Sequence, residues 1–163
     1  MALNILFIKV YSIYLQYKLK TMTRINIGVP PLNLTDKHLL AEHREIKRMH
    51  SVATNWLNTK SKIPDDFRVG LGHVLFFVNK GQYTLNRYNE IYEECIRREF
   101  DVENYASNWD KYPKHLMGDY SPTARDIGII KERIKERILQ SYSKNRYYKN
   151  DISKHDAITL LNI

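Results

Sequence analysis

The sequence predicts an all-α fold, a compact single-domain bundle of about three main helices joined by long loops. Apolar residues recur at helical spacing in three segments, about 35–57, 83–100 and the segment beyond Pro122. A length of 163 residues suits one domain with one hydrophobic core. No repeat or low-complexity linker divides the chain, so we expect these helices to share that core.

The first predicted helix runs from about Thr35 to Leu57. Thr35 or Asn33 can cap it, and an acidic residue follows at position 36 in its first turn. Its polar stripe brings Arg44, Glu45 and Arg48 together, because residues three and four apart share a helix face. Taken alone, these three residues indicate a surface ion pair. The apolar stripe opposite contains Leu39, Ile46, Met49, Ala53 and Trp56.

Prolines, glycines and polar runs indicate where the connections between the helices lie. Pro30 and Pro31 exclude a helix interior over 28–33, and a polar, basic connection follows the first helix over 58–68. The apolar run 69–78 fits a helix or a strand equally well. Its two glycines, Gly70 and Gly72, favour close backbone packing over a phosphate loop, since no third glycine or P-loop lysine accompanies them.

The later helices have clearer signals. The segment 83–100 is predicted to be amphipathic, with Cys95 on its buried side as a core residue. Ser121 is predicted to cap the last helix and Pro122 to be its first residue. Its inward stripe contains Ile127, Ile130, Ile134 and Ile138, and the alternating charges of 131–137 are typical of a solvated surface.

Composition narrows the function classes. A formal net charge of +8 suggests a polyanionic partner, usually nucleic acid, although many basic soluble proteins bind none. Twelve tyrosines mildly favour nucleic acid, because tyrosine stacks on bases. A single cysteine excludes an internal disulfide and fits a reducing compartment. The six histidines form no HxxxH pair and have no cysteine partners, so we expect no metal and no cofactor.

Residues 1–21 form an apolar, tyrosine-rich extension. Lys9 interrupts it, and it is too short to span a bilayer and lacks the marks of a secretory signal. It can be upstream sequence translated from a misplaced start, a membrane-surface helix or a genuine appendage, and we favour the first. Translation from Met22 followed by methionine removal leaves Thr23 with a free α-amine. An α-amine has an ordinary pKa of about 7.7–8.0 and is therefore partly neutral, and nucleophilic, near physiological pH.

The segment 142–150, YSKNRYYKN, interleaves tyrosines with basic residues. Such a mixture suits phosphate pairing and base or sugar stacking, and the alternative is a disordered basic tail. We favour DNA contact. Residues 151–163 carry no functional signal and are interpreted as a C-terminal tail.

The segment MTRINIGVPPLNLTDKHLLAEHREIKR, residues 22–48, resembles the N-terminus of the bacteriophage pyrimidine-dimer DNA glycosylases, the UV-repair enzymes of the endonuclease V type. The TRIN start combined with DKHLxAExRE is the specific part. The resemblance covers about 22–149 and continues through Gly72-His73-Val74, Phe76-Phe77, Glu93-Glu94-Cys95, Gly118-Asp119-Tyr120 and Arg146-Tyr147-Tyr148.

The resemblance implies the site residues. Thr23 occupies the position of the N-terminal nucleophile of this family, and Glu45 that of the essential glutamate. The implied DNA contacts are Arg24, His38, Arg44, Arg48, Arg146, Tyr147 and Tyr148. The implied fold is a compact bundle whose N-terminus threads inward beside the glutamate, with the enzyme domain at 22–150.

The implied function is excision of UV-induced cyclobutane pyrimidine dimers, followed by cleavage of the abasic site through an imine with Thr23. The protein is expected to act as a monomer on double-stranded DNA containing dimers or abasic sites, without a membrane, in the cytoplasm of a bacterial or infected host cell. Two alternatives stay open. Lys144 and Asn145 replace a Trp-Tyr pair of the family, so the lesion spectrum can differ. If residues 1–21 are retained, the nitrogen of Thr23 is an amide, and the protein is a non-catalytic binder of distorted DNA.

Overall fold

The computed structural model of the protein describes residues 25–70 and 72–162, and it confirms the predicted all-α class. Short 3₁₀ turns at Pro31–Asn33, Ala106–Lys111 and Lys114–Leu116 lie in the connections. No helix in the described ranges is both long and apolar enough to cross a bilayer. The helices are α1 (Asp36–Ile46), α2 (Met49–Thr59), α3 (His73–Phe76), α4 (Gly81–Arg97), α5 (Ala124–Gln140) and α6 (Lys154–Thr159), and one antiparallel pair joins β1 (Asn145–Tyr147) to β2 (Asn150–Ile152).

The core lies where α1 packs against α4. Leu39 and Ile46 of α1 and Tyr88 and Ile91 of α4 are fully buried there. Cys95 is also buried, which confirms it as a core residue, and burial raises the pKa of its thiol to about 12. The predicted helix over 83–100 is confirmed, with its bounds at Gly81 and Arg97.

The single helix predicted over 35–57 is wrong, because the chain breaks into α1 and α2 at Lys47 and Arg48. The amide of Arg48 donates to the carbonyl of Glu45, a tighter three-residue turn. The carbonyl of Lys47 accepts from two side chains, His50 Nδ1 at 2.9 Å and Asn108 Nδ2 at 3.3 Å. Side-chain bonds thus occupy a carbonyl that would otherwise continue the helix, and the break places Glu45 in the last turn of α1.

The predicted start of the last helix is also wrong, because Thr123 caps α5 in place of Ser121. Thr123 Oγ1 accepts from the amide of Asp126, and the Asp126 carboxylate accepts from the amide of Thr123, both at 3.2 Å. This reciprocal capping box satisfies two backbone donors. The inward stripe is confirmed at Ile130, Ile134 and Ile138, which are buried, whereas Ile127 is half-buried.

The apolar run 69–78, for which the sequence allowed a helix or a strand, contains the short helix α3. Gly70 and Gly72 have φ values of +81° and +92°, the left-handed region that favours glycine, and Gly72 precedes the first residue of α3. These glycines thus turn the chain into α3 and set the position of His73.

The chain beyond α5 is ordered as a hairpin and a short helix. The hairpin turns at Tyr148 and Lys149, whose φ values of 50° and 66° are those of a type I′ turn. Ala157 of α6 and Leu161 after it are buried against the domain, so the residues interpreted as a tail over 151–162 are part of the packed structure.

Candidate active site

The N-terminal segment enters the domain through buried hydrogen bonds. Ile25 is fully buried, and its amide donates to His73 Nε2 at 3.2 Å. The amide of Asn26 donates to Glu42 Oε1 at 2.9 Å, and its side-chain Nδ2 donates to Glu42 Oε2 at 2.8 Å. The chain that follows residue 24 is therefore fixed against α1 and α3.

Glu42 is buried in a fully paired network. Arg87 of α4 donates to its carboxylate with both Nε, at 2.9 Å, and Nη2, at 3.0 Å, and donates Nη1 to the carbonyl of Val29 at 2.8 Å. The side chains are 0% exposed for Glu42 and 4% for Arg87. A buried ion pair is tolerated when such bidentate geometry and further hydrogen bonds satisfy the remaining polar atoms. The network binds the N-terminal segment to α1 and α4.

His73 holds the other end of this anchor as a neutral ring. Its Nδ1 donates to the carbonyl of Arg68 at 2.8 Å, so Nε2 is free to accept from Ile25. Burial lowers the pKa of His73, although the Arg68 carbonyl and the charge of Glu42 act in the opposite direction. The ring lies edge-on to Phe67 and Phe77, which fix its orientation.

Glu45 lies one turn beyond Glu42 on a half-buried part of α1. Its side chain is 24% exposed and accepts from Arg48 Nη1 at 3.3 Å. Arg44 precedes Glu45 and is exposed, and Arg48 follows just beyond the end of α1. The carboxylate is thus flanked by cations that are available to a polyanion.

His38 lies in the first turn of α1 and is buried. Its Nδ1 shares a hydrogen bond with Thr35 Oγ1 at 2.7 Å. Burial, followed by the nearby charge of Lys37, lowers the pKa of His38 to about 4, so the ring is neutral at physiological pH. His38 can therefore act as a hydrogen-bonding group but not as a cation.

A cavity of about 150 Å³ lies beside His38. Arg137 of α5 lines it, and its Nε is buried without a partner among the described residues. Sequence reasoning missed this residue, because its charge belongs to an alternating pattern typical of a solvated face. The other lining residues are Lys37, Gln140, Ser141 and Asn145.

The three predicted contacts of the hairpin have different surroundings. Arg146 is exposed and donates to Asp151 at 3.2 Å. Tyr147 and Tyr148 are half-buried, with ring centroids 4.8 and 4.7 Å from the guanidinium of Arg98. Tyr148 also donates its hydroxyl to Glu94 at 3.0 Å, so both tyrosines support the fold whatever else they contact.

His38 lies buried in the first turn of α1, Arg44 and Glu45 lie in its last turn, and the hairpin packs near its N-terminal end. Thr23 and Arg24 lie outside the described residues, as does the whole of 1–21. Among residues 25–70 and 72–162, no group of three histidine, cysteine or acidic side chains is placed to hold a metal.

A sequence model of the pyrimidine dimer DNA glycosylase family matches residues 22–108, more than half of the chain. The chain belongs to this family. Its members are DNA repair glycosylases that act on DNA containing pyrimidine dimers. The match covers the N-terminal segment and α1 to α4, and therefore includes the anchor made by Asn26, Glu42, His73 and Arg87.

Sequence reasoning missed these anchor residues. Glu42 and His73 do belong to the motifs AExRE and GHV. These motifs single out the two positions but do not show what the side chains bind. Arg87 lies in the predicted amphipathic helix with no local signal, because only the fold brings it to Glu42.

Proposed function

We propose that this family member excises cyclobutane pyrimidine dimers from double-stranded DNA and then cleaves the abasic site. The α-amine of Thr23 is the nucleophile and Glu45 is the catalytic carboxylate. The observation that carries the proposal is the buried anchor of the N-terminal segment, in which Ile25 bonds to His73 and Asn26 bonds to Glu42, three residues before Glu45.

The reach of the chain supports this pairing. Thr23 precedes Ile25 by two residues, a span of at most about 7 Å. Glu42 and Glu45 are separated by less than one turn of α1, an axial rise of about 4.5 Å. These lengths support the proposed pairing of Thr23 with Glu45, in which Thr23 is the N-terminal residue and its α-amine is free.

The reaction begins with the neutral amine of Thr23. Its lone pair forms a bond to C1′ as the bond from C1′ to the base nitrogen breaks, and the base leaves with that electron pair and takes up a proton. Opening of the C1′–O4′ bond moves the second amine proton to O4′ and gives an imine. Loss of a proton from C2′ then breaks the C3′–O3′ bond and releases the phosphate end of the strand. Water hydrolyses the imine and restores the amine.

Glu45 stabilises the positive charge that develops on the sugar and assists the proton transfer at C2′. Arg24, Arg44 and Arg48 hold phosphates around the lesion, and their positive charge lowers the pKa of the α-amine. Arg137 extends this phosphate contact, supported by its place in the wall of the cavity beside His38. His38 contributes a neutral hydrogen bond, and Arg146, Tyr147 and Tyr148 contact the DNA from the hairpin.

Damage itself supplies part of the selectivity. A crosslinked dimer stacks and pairs poorly, so kinking the duplex or extruding a nucleotide costs less there than in intact DNA. The chain needs no sequence readout for this discrimination, and its phosphate contacts make scanning of intact DNA salt-dependent.

Borohydride trapping on dimer-containing duplex tests the mechanism. Protein that starts at Thr23 is expected to give a covalent complex, whereas the same protein with an acetylated α-amine gives none. Glu45→Gln is expected to lose strand cleavage and to keep DNA binding. Absence of trapping by well-folded protein, or full cleavage by Glu45→Gln, contradicts the proposal.

A panel of lesions tests the substrate. Lys144, just before β1, and the buried Asn145 in β1 stand at the two positions ahead of Arg146, so neither position presents an aromatic ring. Duplexes with a dimer, a plain abasic site or another damaged base are compared under single-turnover conditions. Faster cleavage of another lesion supports the alternative of a shifted lesion spectrum.

A further inference from the structure

Tyr142 is a large aromatic side chain exposed to solvent at the end of α5. Its relative exposure is 107%, whereas every other tyrosine in the described ranges is half-buried or buried. A fully exposed ring gains no packing energy from the folded chain, so the fold itself does not account for it. A single exposed apolar residue is common on protein surfaces and does not by itself indicate a binding site. The groups around Tyr142 therefore carry the argument.

The backbone around Tyr142 aims the ring away from α1. The hydroxyls of Ser141 and Ser143 both accept from Lys37 Nζ, at 3.2 and 2.9 Å, and bond to each other at 2.8 Å. Ser141 has an extended backbone conformation. Since side chains alternate along an extended chain, the residue between the two serines points outward. The hydroxyls fixed on Lys37 thus hold the base of the ring in place.

Two basic cavities lie on either side of this residue. Arg137 and Lys37 line the smaller one, of about 150 Å³, together with Ser141. A larger cavity of about 520 Å³ includes Lys37 and Ser143 and has an apolar wall. Lys37 lines both cavities. The remaining residues of the larger cavity are Asp36, Leu40, Phe100, Lys144, Arg146 and Lys149.

The acids near these cavities are engaged with other groups. Asp151 pairs with Lys144 and Arg146, and Asp36 accepts from the backbone of the hairpin turn. The surface pairs are exposed and therefore weak, so phosphates can replace the acid. Tyr142 is thus an aromatic ring between two basic cavities. This arrangement is complementary to a nucleobase that lies between the phosphates of its own strand.

We propose that Tyr142 stacks on a nucleobase beside the lesion while Lys37 and the two cavities hold the flanking phosphates. The proposal rests on the proposed function, in which Arg44 and Glu45 of α1 meet DNA. Stacking on tyrosine is tolerant of sequence, and it is strongest for a base that the lesion or a kink has already unstacked. Tyr142 would therefore favour damaged over intact duplex.

The test compares Tyr142→Ala, Tyr142→Phe and Tyr142→Trp by binding to dimer-containing and intact duplexes. Glu45→Gln is the common background, so that the DNA stays uncleaved, and a 2-aminopurine beside the lesion reports stacking. Tyr142→Ala is expected to weaken binding to damaged duplex roughly tenfold and to relieve the quenching of 2-aminopurine. The phenylalanine and tryptophan variants are expected to keep both.

Leu139→Ala is the matched control, since Leu139 is an exposed apolar residue (51%) in the last turn of α5, on the side away from Arg137. It is expected to bind like the parent. The slope of log affinity against log salt is expected to stay the same in Tyr142→Ala, because no phosphate contact is lost. The midpoint of thermal unfolding of Tyr142→Ala is also expected to equal that of the parent.

Parental affinity in Tyr142→Ala overturns the proposal. An equal loss in Tyr142→Phe also overturns it, because the hydroxyl and not the ring would then bind. The outcome is separable from that of the proposed function. If wild-type protein gives no trapped complex but Tyr142→Ala loses affinity and quenching, the stacking role stands and the enzyme mechanism falls.

Discussion

At the residue scale, two glutamates three positions apart on α1 have opposite surroundings. Glu42 accepts four hydrogen bonds in the core, two from Asn26 and two from Arg87, and is fully buried. Glu45 is partly exposed and has one arginine partner, which is itself 55% exposed. We infer a division of roles in which Glu42 positions the N-terminal segment and Glu45 is left available for chemistry.

Replacing each glutamate by glutamine is expected to separate these roles. Glu42→Gln leaves the buried Arg87 with the exposed Glu90, at 3.4 Å, as its remaining carboxylate partner, and is expected to lower the free energy of unfolding by about 3 kcal/mol. Glu45→Gln removes a surface pair and is expected to change it by no more than about 0.5 kcal/mol, while strand cleavage is lost. Urea denaturation measures both. Equal stability of the two variants contradicts the assignment of Glu42 to the anchor.

The sequence could predict that a glutamate of this helix is functional, but not which environment each one has. Periodicity places Glu42 near the buried side of α1, where an unpaired carboxylate would be unacceptable. Its partner Arg87 lies 45 residues away, and the bonds from Asn26 form only when the N-terminal segment is folded in. Such pairing depends on tertiary structure, which a local pattern does not contain.

At the element scale, one carboxylate fixes the C-terminal hairpin to the start of α1. Asp36 accepts from the amides of Tyr148 and Lys149, at 3.1 and 2.8 Å, and from Arg98 Nη1 at 2.9 Å. Arg98 also donates to Glu94 and to backbone carbonyls of the segment before α1. The hairpin and the N-terminal loop are therefore held by the same buried guanidinium.

Asp36→Ala is expected to release the hairpin turn. The variant leaves two amide donors and Arg98 with fewer partners, at a cost of about 3 kcal/mol. Hydrogen exchange at Tyr148 and Lys149 is expected to become fast, ahead of exchange in α4. Asp151→Ala is the control, since Asp151 is on the exposed strand of the same hairpin, and it is expected to leave exchange in the turn protected. Unchanged protection in Asp36→Ala contradicts this role.

Elements with strong local signals were predicted well, and elements that depend on distant contacts were not. The amphipathic pattern found α4 to within a few residues. The hairpin was missed because its turn is Tyr148-Lys149, without the glycine or asparagine that normally marks positive φ. The amide bonds to Asp36, more than a hundred residues away, help to hold that conformation. The break after α1 was missed for a similar reason, since Asn108 takes the Lys47 carbonyl.

At the scale of the whole molecule, several histidines are buried in their neutral form. Burial is the largest cause that lowers the pKa of His38, His43 and His73 below the ordinary value of 6.5. The unfolded chain therefore binds protons at these rings at a higher pH than the folded protein does. Their contribution to stability is fully present above about pH 6.5 and is lost as the pH falls, for His38 toward about 4.

The free energy of unfolding is accordingly expected to fall between pH 7.5 and pH 4.5, before most carboxylates are protonated. His38 alone accounts for a loss on the order of 2–3 kcal/mol in this window, because one pKa unit corresponds to about 1.4 kcal/mol. Urea denaturation at a series of pH values measures the slope. His38→Gln removes one titrating ring and is expected to flatten the dependence, whereas replacement of the exposed His115 by glutamine is expected to leave it steep. A slope that His38→Gln does not change would show that the acid sensitivity arises elsewhere, because a ring kept neutral only by burial must take up its proton when the chain unfolds.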